Sequence, residues 1–287
     1  MQQVFSPKQV ARAIGASESS VKRWCDRGLL ETVKTVGGHR RVALSGVLHF
    51  LREKKHQLVV PEELGLPTQT NLARKSLQSC KSEFSDALHS GNYPICRRTT
   101  LELFLAGHSI GSICDEVIVP AMKAIGDGWC DGSVEVFEER RGCDIAIRLL
   151  FEMHSMIPRP KNDAPLAMGA SVEADPYSLP TRMVEIALTA SGWNTESLGC
   201  GVPLRSLKKA ILEKSPRLFW LSVSSIKDEE TFVAEYLDLF DACDNLAIVL
   251  GGRALTEQLR ARIQYTSYCE NLQRLETFVK AIYSPKD

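Results

Sequence analysis

The chain has 287 residues, 44% of them hydrophobic and 24% charged, a length that predicts two or three domains and a composition that excludes wholesale disorder. Its formal net charge is zero, yet residues 1–60 hold 11 Lys and Arg against 4 Asp and Glu, so the remainder carries −7. A basic first segment before an acidic remainder points to nucleic acid at one end and argues against general polyanion affinity elsewhere, although a solvated basic face would account for the charge alone.

Nine cysteines, at positions 25, 80, 96, 114, 130, 143, 200, 243 and 269, show no CxxC or paired spacing. With no apolar leader ahead of them, they predict reduced thiols in a cytoplasmic protein and no close-spaced metal site. Apolar runs such as Leu246 to Leu250 fall far short of the roughly 18 residues of a membrane span.

In chain order, Ser6-Pro7 places a cap and an N1 proline before KQVARAIG, predicting a helix from Pro7 to Ile14. Ser17 caps a second helix that Gly28 ends. Val21 and Trp24 share its buried face, while Ser19, Ser20, Lys22, Arg23 and Arg27 point outward as donors suited to phosphates and base edges. Thr35-Val36-Gly37-Gly38-His39-Arg40-Arg41 reads as a hairpin turn with two arginines on its returning arm. Ser45 is expected to cap a third helix through about Lys55. The expected fold of residues 1–57 is a winged helix-turn-helix, classed as all-α, with the second helix presented to the major groove.

VARAIGASESSVKRWCDRGLLETVKTVGGHRRVALSGVLHFL resembles the DNA-binding domain of the MerR family, in its excisionase-like branch. RW, the GLL ending and GGHRR fall in the family's order. The resemblance implies that Lys22, Arg23, His39, Arg40 and Arg41 touch DNA, with Trp24 in the core.

Residues 58–70, broken by Pro61, Gly65 and Pro67, read as a linker tethering the head. Residues 71–157 follow in four helical pieces: 71–89, 94–106, 109–125 and, after the glycine break GDGWCDG, 133–154. They predict a four-helix bundle. Residues 165–287 alternate strand and helix: LAMGAS, NTESLG, RLFWLSVS, LAIVLGG and QYTSY are the strands of a doubly wound, Rossmann-like α/β domain with a five-stranded parallel sheet. Ligands of such sheets bind beyond the strands' carboxyl ends, where ADPYSLP, SVSS and GGRAL fall.

The three-part order resembles the light-sensing, adenosylcobalamin-binding repressors of the CarH and LitR group. Trp129 followed by Glu139 matches that group's W-x9-E-H motif, whose residues cover the cobalamin's upper face, but Arg140 stands in place of the histidine. In the corrinoid signature D-x-H-x-x-G, the histidine coordinates cobalt and the glycine leaves room for the nucleotide tail. This chain reads Asp175-Pro176-Tyr177-Ser178-Leu179-Pro180, with tyrosine at the ligand position and proline at the glycine. Two later signatures survive, as Ser222-Val223-Ser224 and Gly251-Gly252. All six histidines, at 39, 49, 56, 89, 108 and 154, lie outside the α/β segment, which speaks against histidine-on cobalamin.

Three readings of the pocket stay open: empty or holding another ligand such as haem or a bilin, cobalamin bound differently, or a dimerisation and docking scaffold. Cys130, Cys143 and Cys200 are thiol-sensor or bilin-attachment candidates, against a buried structural role for each. No nucleophile and base pair, P-loop, GxGxxG or metal motif is present, and no enzyme is expected. The leading expectation is a regulator that binds double-stranded operator DNA as a homo-oligomer, dimer or higher, its bundle and α/β unit controlling oligomerisation and sensing a signal. The alternatives are a cobalamin- or other tetrapyrrole-dependent light- or redox-sensing repressor, a corrinoid-carrier subunit, and a protein-docking accessory protein.

Overall fold

A computed structural model describes residues 3–35, 37–54, 56, 58–66, 76–243 and 245–283. The chain divides into two units, Met1–Pro158 and Arg159–Asp287.

The first unit opens with β1 (Val4–Phe5), α1 (Pro7–Ala13), α2 (Glu18–Asp26), β2 (Thr32–Lys34), β3 (Arg40–Ala43) and α3 (Leu44–Lys54). A capping box starts α1: Ser6 Oγ accepts from Gln9 N at 3.2 Å while Gln9 Oε1 accepts from Ser6 N at 3.0 Å. The helix-turn-helix is present as expected. The hairpin β2–β3 pairs Val33 with Arg41, and β1 pairs Phe5 with Val42 on the other edge of β3, forming a three-stranded antiparallel sheet beyond the all-α description. Helix α3 starts directly from β3, so Ser45, expected as a cap, is a fully buried interior residue. Lys55, its expected end, lies outside the described residues.

The expected tether is built differently in its first part. Val59 N and Val60 N both donate to Ala13 O, at 2.6 and 3.0 Å, and Pro61–Leu64 forms a 3-10 turn. Leu58, Leu64 and Leu66 are buried, because three apolar side chains within nine residues gain more from packing on α1 than from solvent. Residues 67–75, the rest of that linker and the start of the helix expected from Asn71, lie outside the described residues.

The bundle comprises α4 (Leu77–His89), α5 (Tyr93–Leu105), α6 (Ile110–Ile113), α7 (Val119–Asp131) and α8 (Val136–Met156). A π-helical turn, Cys114–Ile118, joins α6 to α7 in one continuous run. The expected glycine break is not a break: Gly126 and Gly128 lie inside α7, which ends at Gly132. Gly128 is required by close approach, since a Cβ there would lie 2.6 Å from Val134 Cγ2 where the chain turns back. Helix α3 packs beside α5 and α8, with the Arg52 guanidinium 4.4 Å from the centroid of the Phe104 ring, so the head is docked on the bundle.

The second unit alternates β4 (Leu166–Ser171), α9 (Leu179–Ala190), β5 (Asn194–Ser197), α10 (Leu204–Lys214), β6 (Leu218–Ser222), α11 (Glu229–Asp241), β7 (Ala247–Gly251), α12 (Glu257–Arg260), β8 (Ser267–Tyr268) and α13 (Leu272–Ile282). Its five strands are all parallel in the order β5-β4-β6-β7-β8. Met168, Phe219, Leu221 and Leu250 fill one face with Leu207 of α10 and Tyr236 of α11. Gly169 and Trp220 belong to the opposite face, where α9 packs on β4 and β6 and α13 packs on α9. Helix α12 is a single turn of four residues, capped by Thr256, whose side chain accepts from Leu259 N.

Candidate functional site

In the head, Ser17 Oγ accepts from Ser20 N at 3.1 Å and lies 2.9 Å from both the Ser19 and Ser20 hydroxyls, which fixes the start of α2. Val21 and Cys25 turn inward, leaving Lys22, Arg23 and Arg27 exposed. Arg23 and Arg27, four apart, project from one face. Lys22 Nζ pairs with Glu18 at 2.8 Å. Trp24 is half-buried with its ring tilted against Phe50, centroids 4.8 Å apart, a packing contact in keeping with the sequence reading.

The hairpin is positioned by Arg40, whose Nη1 donates to Asp26 Oδ1 at 2.6 Å and to Lys22 O at 3.4 Å. This ion pair binds the returning strand to the last turn of α2 and raises the guanidinium's pKa above its ordinary value. His39 N donates to Thr35 Oγ1 at 3.1 Å and its imidazole is exposed; Arg41, opposite Val33, is half-buried. Arg23, Arg27 and His39 therefore extend from a helix and a hairpin held in fixed relation, a geometry that suits phosphate contacts.

Trp129 is 48% exposed, in the last turn of α7 instead of the expected glycine-rich turn. Glu139 is committed within α8: it accepts from Cys143 Sγ at 3.2 Å and lies 3.4 Å from Arg140 Nε. Burial, reinforced by that carboxylate, pushes the Cys143 thiol up to about 12, so it is a protonated donor at neutral pH. Cys130 and Cys200 are exposed free thiols.

Beyond the strand ends of the second unit, Asp175 is fully buried and joins two loops. Its Oδ1 accepts from Tyr177 N at 3.0 Å and its Oδ2 from Ser224 N at 2.5 Å. Tyr177 is half-buried; Ser171 Oγ donates to its carbonyl at 3.3 Å, and the Arg253 guanidinium lies 5.5 Å from its ring centroid. Gly252 has φ +120°, and a Cβ there would come within 2.2 Å of Val223 O. Ser222 is buried at the end of β6. Of the surviving signatures, Gly252 is thus required by backbone geometry and Ser224 supplies its backbone amide to the Asp175 bridge.

The residues present do not fit a histidine-ligated cobalamin. Tyr177 replaces the imidazole, Asp175 is engaged by backbone amides, and Pro180 is built into the first turn of α9. The next residue, Thr181, accepts from Trp220 Nε1 at 2.9 Å, and both side chains are buried. Sequence reasoning missed Trp220 and Gly169, reading RLFWLSVS and LAMGAS as plain apolar strands; the only signal was an indole in one strand and a glycine in its neighbour. It also missed Arg52 and Arg253. Among the described residues no group of three or more His, Cys, Asp or Glu could hold a metal ion, and no helix is long and apolar enough to cross a membrane.

The chain combines a helix-turn-helix domain with a cobalamin-binding-like architecture of helical region and parallel sheet. A family model described as a helix-turn-helix domain matches residues 4–55, and one described as a B12 binding domain matches residues 81–150, within α4 to α8. The fold is similar to that of the monomethylamine corrinoid protein of Methanosarcina barkeri, at 18% identity and TM-score 0.60, over 72% of this chain and 100% of that one. A cobalamin-binding protein of Desulfitobacterium hafniense matches at 14% identity and TM-score 0.38, over 73% of this chain and 99% of that one. The methanol:cobalamin methyltransferase complex of Methanosarcina barkeri matches at 16% and 0.39, over 80% and 87%. No curated protein matches the chain.

Proposed function

We propose that this chain is a sequence-specific transcriptional regulator of the MerR type, with α2 as the recognition helix and the β2–β3 hairpin as its wing. The observation that carries the reading is the Arg40–Asp26 ion pair, which holds the hairpin against α2 while Arg23, Arg27 and His39 stay exposed. Ser19, Ser20, Lys22 and Arg41 complete the DNA-facing set. The protein acts on double-stranded operator DNA in the cytoplasm as a homo-oligomer, whose two-fold pairing demands a repeated half-site. Its working parts are a head at 1–57, a linker at 58–70, a bundle at 71–157 and an α/β domain at 165–287. The bundle and α/β domain control oligomerisation and respond to a signal other than histidine-on cobalamin, and the protein catalyses no reaction.

Anisotropy titration of labelled DNA from the protein's own promoter tests this. Specific binding that weakens steeply with salt is expected; weak binding indifferent to sequence would sink the regulator reading. The second reading, a corrinoid carrier, is favoured by the fold likeness to the monomethylamine corrinoid protein and opposed by Tyr177 at the cobalt-ligand position.

A further inference from the structure

The face of the sheet beneath α9 holds a buried aromatic side chain. Trp220 on β6 is 1% exposed, and its register partner on β4 is Gly169. A Cβ on Gly169 would lie 2.2 Å from both Trp220 Cδ2 and the Trp220 backbone oxygen and 2.4 Å from Cγ, so the indole, together with its own carbonyl, occupies the space that a side chain on β4 would take. The ring is also anchored, because its Nε1 donates to the fully buried Thr181 Oγ1 in the first turn of α9. A buried indole N–H that lost this acceptor would be costly, which makes one ring position strongly preferred. Directly before Thr181 stands Pro180, at the position where the corrinoid signature has the glycine that admits a nucleotide tail.

We propose that the α/β unit is sealed by its own indole: Trp220 fills the space that an inserted aromatic base would need, and the unit takes up no cobalamin. The indole has the size and flatness of a benzimidazole, and it is covalently attached. Any base entering between β4, β6 and α9 must expel it and strand Thr181. This deepens the proposed function by excluding one signal class, and rests on that reading only for its regulatory meaning.

The test uses the full chain. Mixed with excess hydroxocobalamin, or with adenosylcobalamin in the dark, the protein is expected to elute from gel filtration without corrin absorbance and with its Tm unchanged. Stoichiometric co-elution of either would overturn the proposal. In a second arm, Trp220→Ala opens a cavity, and free indole or 5,6-dimethylbenzimidazole is expected to raise the variant's Tm saturably while leaving the natural protein's Tm unmoved. A rise in the natural protein, or none in a folded variant, would overturn it. Trp220→Leu repeats this arm with a smaller void should the alanine variant not fold. DNA binding measured on the same natural protein separates failure of this inference from failure of the regulator reading.

Discussion

Asp26 and Arg40 meet across 2.6 Å, joining the last turn of α2 to the strand that returns from the hairpin. An arginine read from sequence as a DNA contact is thereby also a brace within the protein. Because its charge is already balanced by Asp26, Arg40 should contribute less to phosphate neutralisation on the proposed DNA-binding surface than Arg23 or Arg27, for which no protein partner is found among the described residues. Arg23→Ala and Arg27→Ala should each weaken DNA binding and lower the slope of log affinity against log salt by about 0.9. Arg40→Ala should weaken binding with a smaller change in slope. Equal slope losses at all three positions would refute this division of roles.

The ring contact between Arg52 and Phe104 carries a stability prediction. Burial holds the Arg52 guanidinium's pKa below its ordinary value, so the charge must be compensated by the Phe104 face and its surroundings. Arg52→Ala should destabilise the first unit by roughly 1–2 kcal/mol, through loss of both the cation–π contact and the packed stem. Differential scanning calorimetry should then resolve a head transition below that of the bundle; a single unshifted transition would count against tight docking.

Trp24 is half-buried against Phe50. Trp24→Ala should cost about 3 kcal/mol, the low end for such truncations because part of the ring is already exposed. Trp24→Phe should keep most of that stability and should leave DNA affinity within about twofold, since an effect of 0.4 kcal/mol is about twofold. Urea denaturation and anisotropy on the same variants check both claims; a selective loss of DNA binding in the phenylalanine variant would assign the indole to contact instead of packing.

The Cys143 thiol predicts both reactivity and pH dependence. Its folded pKa of about 12 lies above the ordinary 9.0, chiefly through burial, so its contribution to stability is fully present below pH 9 and is lost as pH rises towards 12. Cys143→Ala should flatten the fall in stability over that alkaline window, read from urea midpoints at successive pH values. At neutral pH, mass spectrometry after brief iodoacetamide treatment should find Cys130 and Cys200 alkylated and Cys143 intact. Rapid labelling of Cys143 would restore it as a sensor candidate.

Asp175 accepts backbone hydrogen bonds from Tyr177 and Ser224, linking the loops after β4 and β6. Asp175→Ala leaves two amides without an acceptor and should destabilise the second unit by about 3 kcal/mol, with DNA affinity of the still-folded protein unchanged. A variant as stable as the natural protein would show that the carboxylate is not needed as a loop brace.

Much of this was legible because local signals are local in cause. The caps at Ser6 and Ser17, the alternation from Leu166 onward and the basic stretch around Arg23 depend on neighbours within a few residues, and they placed the helix-turn-helix, the bundle and the parallel sheet. Boundaries failed where distant contacts compete with local preference. GDGWCDG looked like a break, but Gly128 is needed for the approach of Val134, and the helix runs on. Residues 58–66 looked like a tether, but Ala13 O accepts from two of their amides.

From the order of its residues alone, the chain determined a basic DNA-type head and an α/β domain lacking the cobalt-ligating histidine, since residue identity and short-range periodicity suffice for both. Only the tertiary structure decided that Arg40 is tied to Asp26, that the head rests on the bundle through Arg52, and that Trp220 fills the space over Gly169. Those three facts join residues 14, 52 and 51 positions apart. Which side chains meet across such separations is set by the register of strands and the packing of helices, and these exist only once the chain has folded.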